Sequence, residues 1–161
     1  MSGSNVVNAS ISLDGPLAWE GDDLDPAEYA LVPLYDVRVS AGAGAFVESE
    51  EVVQNLAFRR VWLKKMGLEA SKLALVSACG DSMEPTFSDG DLLLVDLRKV
   101  ELKDGAIHVI RNNDHLLVKR MQVGLGDAVI IVSDNSRYRP LKTRRDCLDV
   151  IGRVVWRGGQ M

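Results

Sequence analysis

The residue whose surroundings suggest chemistry is Ser82. It stands in GDSMEPTFSDGD, on a short link between the apolar runs LALVSAC and LLLVD. A serine hydroxyl is a weak nucleophile until a neighbouring base takes its proton. Histidine is the usual base, but His108 and His115 each sit inside a strand-like run with no motif around them, a pattern that favours structural roles. Lysine is the other option. In HLLVKRM, strand parity puts Lys119 on the face of His115, Leu117 and Met121, and Arg120 on the face of Leu116 and Val118. Both faces are largely apolar, so at least one cation is pressed against apolar neighbours. Arginine stays protonated in any setting. A lysine starts near about 10.4 and loses roughly 3–5 pKa units on burial, enough to accept the Ser82 proton at neutral pH. A lysine snorkelling from a strand edge satisfies the same pattern, and spacing alone does not choose between the two.

The elements that must position these residues are mostly strands. Residues 29–40, YALVPLYDVRVS, alternate from Leu34 onward, with Leu34, Asp36, Arg38 and Ser40 on one face and Tyr35, Val37 and Val39 on the other. From Leu73 the chain runs through LALVSAC, LLLVDL, AIHVIR, HLLVKRMQV, AVIIVS and DVIGRVVWR, with Asp89-Gly90, Asp104-Gly105 and Asn112-Asn113 as turn signals. Within residues 55–68, NLAFRRVWLKKMGL, the positions of Phe58, Trp62, Leu63 and Met66 predict a helix, with Gly67 as its C-terminal stop. Phe58 and Trp62 read as core anchors. The pattern predicts a mainly β, twisted, multi-stranded fold with one short helix. Residues 1–29 lack a sustained period and are rich in acids, which predicts a flexible acidic linker or arm ahead of a domain over residues 30–161.

Bulk properties narrow the function. A chain of 161 residues holds one ordinary domain. Its net charge of −4 argues against gripping nucleic acid unaided, because phosphate binding needs a basic face. The local cluster KTRRD at residues 142–146 reads as a solvated loop. Cys79 and Cys147 form neither a disulfide framework nor, with two histidines, a metal site, so neither metal nor cofactor is expected. No apolar run approaches the roughly 18 residues of a membrane span. The opening is too polar for a signal peptide, and a soluble cytoplasmic protein is expected.

Taken together, GDSMEPTFSDGDLLLVD and the later LLVKRM resemble the peptidase domain of LexA, UmuD and the lambdoid phage repressors, above all the C-terminal domain of phage- and pyocin-type repressors. The resemblance covers about residues 31 to 157 and extends to SDNSRYRP at 133–140 and the closing VIGRVVW. It implies a LexA-like fold with a Ser/Lys dyad, matching Ser82 to the nucleophile and Lys119 to the general base. The family cleaves its own chain, usually at Ala-Gly or Cys-Gly. Here VRVSAGAGAF offers Ala41-Gly42 as first choice and Ala43-Gly44 as second. Backbone N–H groups of Asp81 and Ser82 are the expected oxyanion donors, with Met83 and Pro85 shaping the corner.

The implied function is the self-cleaving, dimerising C-terminal portion of a transcriptional repressor, inactivated in the DNA-damage response. Its implied partners are a second copy of the chain, as a homodimer, and a RecA filament on single-stranded DNA as co-protease. Operator DNA would be reached only through a DNA-binding head, since residues 1–30 show no helix-turn-helix pattern. Two other readings stay open. One is a UmuD-like self-cleaving subunit of an error-prone polymerase, and the other a dimerisation module that does not cleave.

Overall fold

A computed structural model describes residues 24–40, 52–113 and 115–159, with the side chains of residues 36–40 outside that description. The described elements are β1 (Tyr29–Ser40), β2 (Val52–Arg59), α1 (Arg60–Lys65), β3 (Leu73–Cys79), β4 (Leu92–Asp96), β5 (Ile107–Asn112), β6 (His115–Val123), β7 (Ala128–Val132), β8 (Leu141–Arg144) and β9 (Asp149–Gly158). Single 3₁₀ turns occupy Ala70–Lys72 and Arg145–Cys147. The described residues are mainly β with one short helix, as the alternating runs predict.

The strands form one mixed sheet in the order β2-β1-β3-β4-β9-β5-β6-β7-β8. A further pairing, Ser40 with Leu117, joins the end of β1 to β6. That bridge closes β1, β3, β4, β9, β5 and β6 into a ring. β1 runs parallel to both β3 and β6, while every other pairing is antiparallel.

Strands β3 and β4 read as unbroken apolar runs because both of their faces are buried. Leu73, Leu75 and Leu94 pack with Val32, Leu56 and Phe58 on one side. Val76, Ala78, Leu93 and Val95 pack with Met83, Phe87, Val109 and Val118 on the other. In β1, Ala30, Val32 and Leu34 are buried while Leu31 is exposed, so alternation begins before Leu34. Its predicted continuation over 36–40 concerns side chains outside the described ones.

The helix is shorter than its spacing predicts. Residues through Arg59 belong to β2, which pairs with β1 from Tyr29–Arg59 to Tyr35–Val52, and only then does α1 begin. Pairing with β1 satisfies the β2 backbone and buries Leu56, Ala57 and Phe58. A helix through 55–59 would forgo both. Phe58 still meets Trp62, with ring centroids 6.0 Å apart, and meets Trp156 edge-on at 5.6 Å. Helical spacing and a strand-to-helix corner thus produce the same neighbours. Gly67 ends α1 at φ +69°. Gly67 N donates to Lys64 O and Leu68 N to Leu63 O at 2.8 Å, the paired bonds of a Schellman stop, with Leu63 and Leu68 both buried.

The basic cluster at 142–146 is also not a plain loop. Residues 141–144 form edge strand β8 against β7, and a 3₁₀ turn follows. An exposed edge strand with one weakly apolar face carries almost no periodic signal, which hides it from the sequence. Its charges do face solvent, with Arg144 paired to Asp146 at 2.7 Å. Of the expected arm, residues 1–23 lie outside the described residues. The turn at 25–28 is tied to the start of α1, where Arg60 Nε donates to Pro26 O at 2.7 Å.

Candidate active site

Ser82 follows directly from the end of β3. The chain leaves the sheet at Gly80, whose φ of +92° favours glycine, and whose N–H donates to Asp89 Oδ1 at 2.8 Å. The link is closed at its base by Ala78 N donating to Asp91 O at 2.8 Å and Gly90 N to Ala78 O at 2.9 Å. A tight turn follows, with Glu84 N donating to Asp81 O and Thr86 N to Met83 O. Met83 and Phe87 plug this turn into the core, at 0% and 3% exposure. The Glu84–Pro85 bond within it is cis. Ser82 is itself fully buried, although serine usually faces water.

Lys119 lies in the middle of β6, opposite His108 of β5. The two residues are 37 apart in sequence, yet Lys119 Nζ donates to Ser82 Oγ. Burial holds the lysine down at about 8 from an ordinary 10.5, while the Asp81 carboxylate acts in the other direction. The parity question is therefore resolved by partners. Arg120, on the opposite face, spends its guanidinium on Asp134, with Nε to Oδ1 at 2.7 Å and Nη2 to Oδ2 at 2.6 Å, and on Gly105 O. Lys119 has no carboxylate at salt-bridge distance among the described residues.

The histidines do not join the serine. His108 is fully buried with Nδ1 3.3 Å from Ala106 O, and its Nε2 has no hydrogen-bond partner among the described residues. Burial holds its pKa below the usual histidine value. His115 begins β6, at the end away from Lys119. Cys79 and Cys147 are free thiols, and the described residues hold no cluster of metal-ligating side chains.

Sequence reasoning assigned no role to the individual residues of the loop between β7 and β8, and the structure folds that loop over Ser82. Asn135 N donates to Ser82 O at 2.9 Å, and its Nδ2 donates to Asp81 O at 3.1 Å. Asp134, held by Arg120, accepts from Thr86 Oγ1. Tyr138 donates its hydroxyl to Asp81 Oδ1 and sets its ring 5.8 Å from Lys119 Nζ. In the sequence this loop stood out as the polar stretch SDNSRYRP between two strands, to which the family resemblance also extends.

The end of β1 arrives at the same place. Ser40 pairs with Cys79 on one side and with Leu117 on the other. Its neighbours therefore lie three residues before Ser82 and two before Lys119. Ala41, Gly42, Ala43 and Gly44 lie outside the described residues. The N–H groups of Asp81 and Ser82 donate to no backbone carbonyl among the described residues.

The chain is similar in sequence to known proteins. Residues 33–155 match the Peptidase S24-like family. The chain is 32% identical to the HTH-type transcriptional regulator PrtR of Pseudomonas aeruginosa, across 96% of this chain and 64% of that protein. It is 28% identical to repressor protein CI of Enterobacteria phage phi80, across 86% of this chain and 60% of the repressor. An uncharacterised HTH-type transcriptional regulator of Haemophilus influenzae is 32% identical over 74% of this chain and 52% of its own length. The chain thus spans between about half and two thirds of these relatives. With a family match running from β1 into β9, through both Ser82 and Lys119, the chain belongs to the Peptidase S24-like family, the group of LexA, UmuD and the lambdoid repressors.

Proposed function

We propose that this chain is the self-cleaving and dimerising C-terminal portion of a transcriptional repressor, in which Ser82 attacks the chain's own Ala41–Gly42 bond with Lys119 as general base. The observation that carries the reading is the hydrogen bond between Lys119 Nζ and the buried Ser82 Oγ. A lysine held at about 8 is neutral in about one molecule in ten at pH 7, against about one in a few thousand for a free lysine. In that form its lone pair accepts the Ser82 proton as Oγ adds to the Ala41 carbonyl carbon. Negative charge gathers on the former carbonyl oxygen, and the Asp81 and Ser82 N–H groups are the donors available to it.

Collapse of that adduct breaks the C–N bond, and the Lys119 ammonium returns its proton to the Gly42 nitrogen. The acyl group on Ser82 is then hydrolysed by water, with the neutral lysine taking the water proton and handing it back to Oγ. No cofactor enters. The place where β1 ends, beside Cys79 and Leu117, supports Ala41–Gly42 over Ala43–Gly44, because Ala41 is the residue that follows Ser40.

Cleavage would separate a DNA-binding head from the part that pairs two copies, and untethered heads lose operator affinity through lost effective concentration. A RecA filament on single-stranded DNA is the proposed trigger, as the resemblance to LexA and the lambdoid repressors implies. Intact-mass analysis after incubation at pH 7 and at about pH 10 tests the chemistry. Two fragments divided after Ala41, absent from Ser82→Ala and Lys119→Ala, are expected. A division after Ala43 moves the bond by two residues. A wild-type chain intact at both pH values and with the filament rules out self-cleavage and leaves the dimerisation module.

A further inference from the structure

We propose that Tyr138 is a positioning residue for Lys119: its hydroxyl holds the Asp81 carboxylate aside, so the lysine stays free to give up its proton. The proposal rests on the self-cleavage reading for its consequence, though not for its geometry. Asp81 directly precedes the nucleophile, and its side chain accepts from Tyr138 Oη. Lys119 donates instead to Ser82. The two opposite charges are close enough for Asp81 to act on the lysine, yet they form no salt bridge.

The surrounding groups leave Asp81 as the carboxylate free to approach. From β5, Lys119 faces His108, which is buried, and that burial holds its pKa below the usual histidine value. Arg120 points to the other face of β6, and Asp134 of the β7–β8 loop is committed to Arg120 and Thr86. Residue 133, which directly follows β7, is a serine and carries no charge. Asn135 separately pins the backbone of both Asp81 and Ser82. Loss of the Tyr138 hydroxyl therefore releases the Asp81 side chain and little else. A released carboxylate within reach of an ammonium pairs with it and raises the lysine pKa. The hydrogen bond to Asp81 raises the Tyr138 pKa above its ordinary value, so the phenol remains a donor across the range where Lys119 titrates. Its ring, 5.8 Å from Nζ, is kept by a phenylalanine, which isolates the hydroxyl.

The test uses the full chain as wild type, Tyr138→Phe, Asp81→Asn and the double variant. Cleavage is followed from about pH 6 to 10, and the Lys119 side chain is titrated in parallel by ¹³Cε NMR in a Ser82→Ala background. Tyr138→Phe is expected to move both midpoints alkaline by up to about one unit, slowing cleavage at pH 7 by about three- to tenfold while the alkaline plateau is kept. Asp81→Asn is expected to move both midpoints the other way. The double variant is expected to match Asp81→Asn, because the hydroxyl then has no charge to withhold. Coincident Lys119 midpoints in wild type and Tyr138→Phe overturn the tether, as does an equal loss of rate at every pH. A wild type that never cleaves overturns the self-cleavage reading instead, and the NMR midpoints still decide the tether.

Discussion

At the scale of residues, the site turns on how Lys119 is desolvated. Its folded pKa of about 8 lies below the ordinary 10.5, with burial as the main cause. Below the folded value, each pH unit changes the neutral fraction about tenfold. The cleavage rate constant is therefore expected to rise about tenfold from pH 6 to 7 and to level off above about 8. A profile still climbing tenfold per unit past pH 9 would show a lysine that burial has not shifted. Lys119→Arg keeps a cation that cannot deprotonate, so a folded but uncleaved chain is expected at every pH. The same burial costs stability. Between about 8 and 10.5 the unfolded chain holds a proton that the folded chain has released, so this group favours folding more as pH rises through that window. At pH 7 the ammonium is still a burden, and Lys119→Met is expected to melt higher than wild type in a thermal scan while failing to cleave.

Among the elements, two contacts decide how well the site is held. Gly152 of β9 pairs with Val109 of β5, where the β5–β9 register shifts, and on its other side lies against the end of β4. A Cβ there would sit 2.6 Å from Asp96 O and 2.8 Å from Val95 Cγ1, and the backbone oxygen cannot move aside cheaply. Gly152→Ala is expected to lose about 1–3 kcal/mol by urea unfolding. An unchanged midpoint would mean that β4 and β9 slide apart without cost. The second contact is Asp134, which joins Arg120 of β6 to Thr86 of the Ser82 turn. Asp134→Asn weakens that join and leaves Arg120 short of a charge partner. It is expected to slow cleavage at the alkaline plateau, where the state of Lys119 no longer limits the rate. Neither contact was readable in advance. Gly152 looks like any strand glycine, and Asp134 pairs with an arginine on another strand.

For the molecule as a whole, closure of the strand ring at Ser40 and Leu117 has a kinetic consequence. β1 belongs to the same ring as β3 and β6, so the Ala41–Gly42 bond one residue beyond it is expected to reach Ser82 without a second molecule. The cleavage rate constant is then independent of protein concentration. A constant that rises in proportion to concentration, measured over a hundredfold dilution, would require attack between copies. Stability should also fall in acid. Hydrogen bonds from Arg120, opposed by burial and aided by Thr86, hold Asp134 below the usual carboxylate range. Its contribution is present above the ordinary value near about 4 and fades as pH falls through the depressed one. Wild type is expected to lose stability more steeply than Asp134→Asn below that point in urea titrations.

The sequence alone determined the mainly β architecture, because side chains alternating or running apolar over short segments have few other ways to be buried. It also determined the nucleophile candidate and a short list of bases, because motif chemistry is local. Three things waited for the tertiary structure. The boundary between β2 and α1 was decided by β1, which supplied backbone partners that a helix would have refused. That the Lys119 side chain turns in to Ser82 instead of snorkelling to solvent was decided by the burial of the Ser82 turn, a contact across 37 residues. The roles of Asp81, Asp134, Asn135 and Tyr138 were decided by the β7–β8 loop folding over that turn. Periodicity reports which face of a segment is buried, but hydrogen bonds and charge pairs between distant loops leave no period, so only the folded chain contains them.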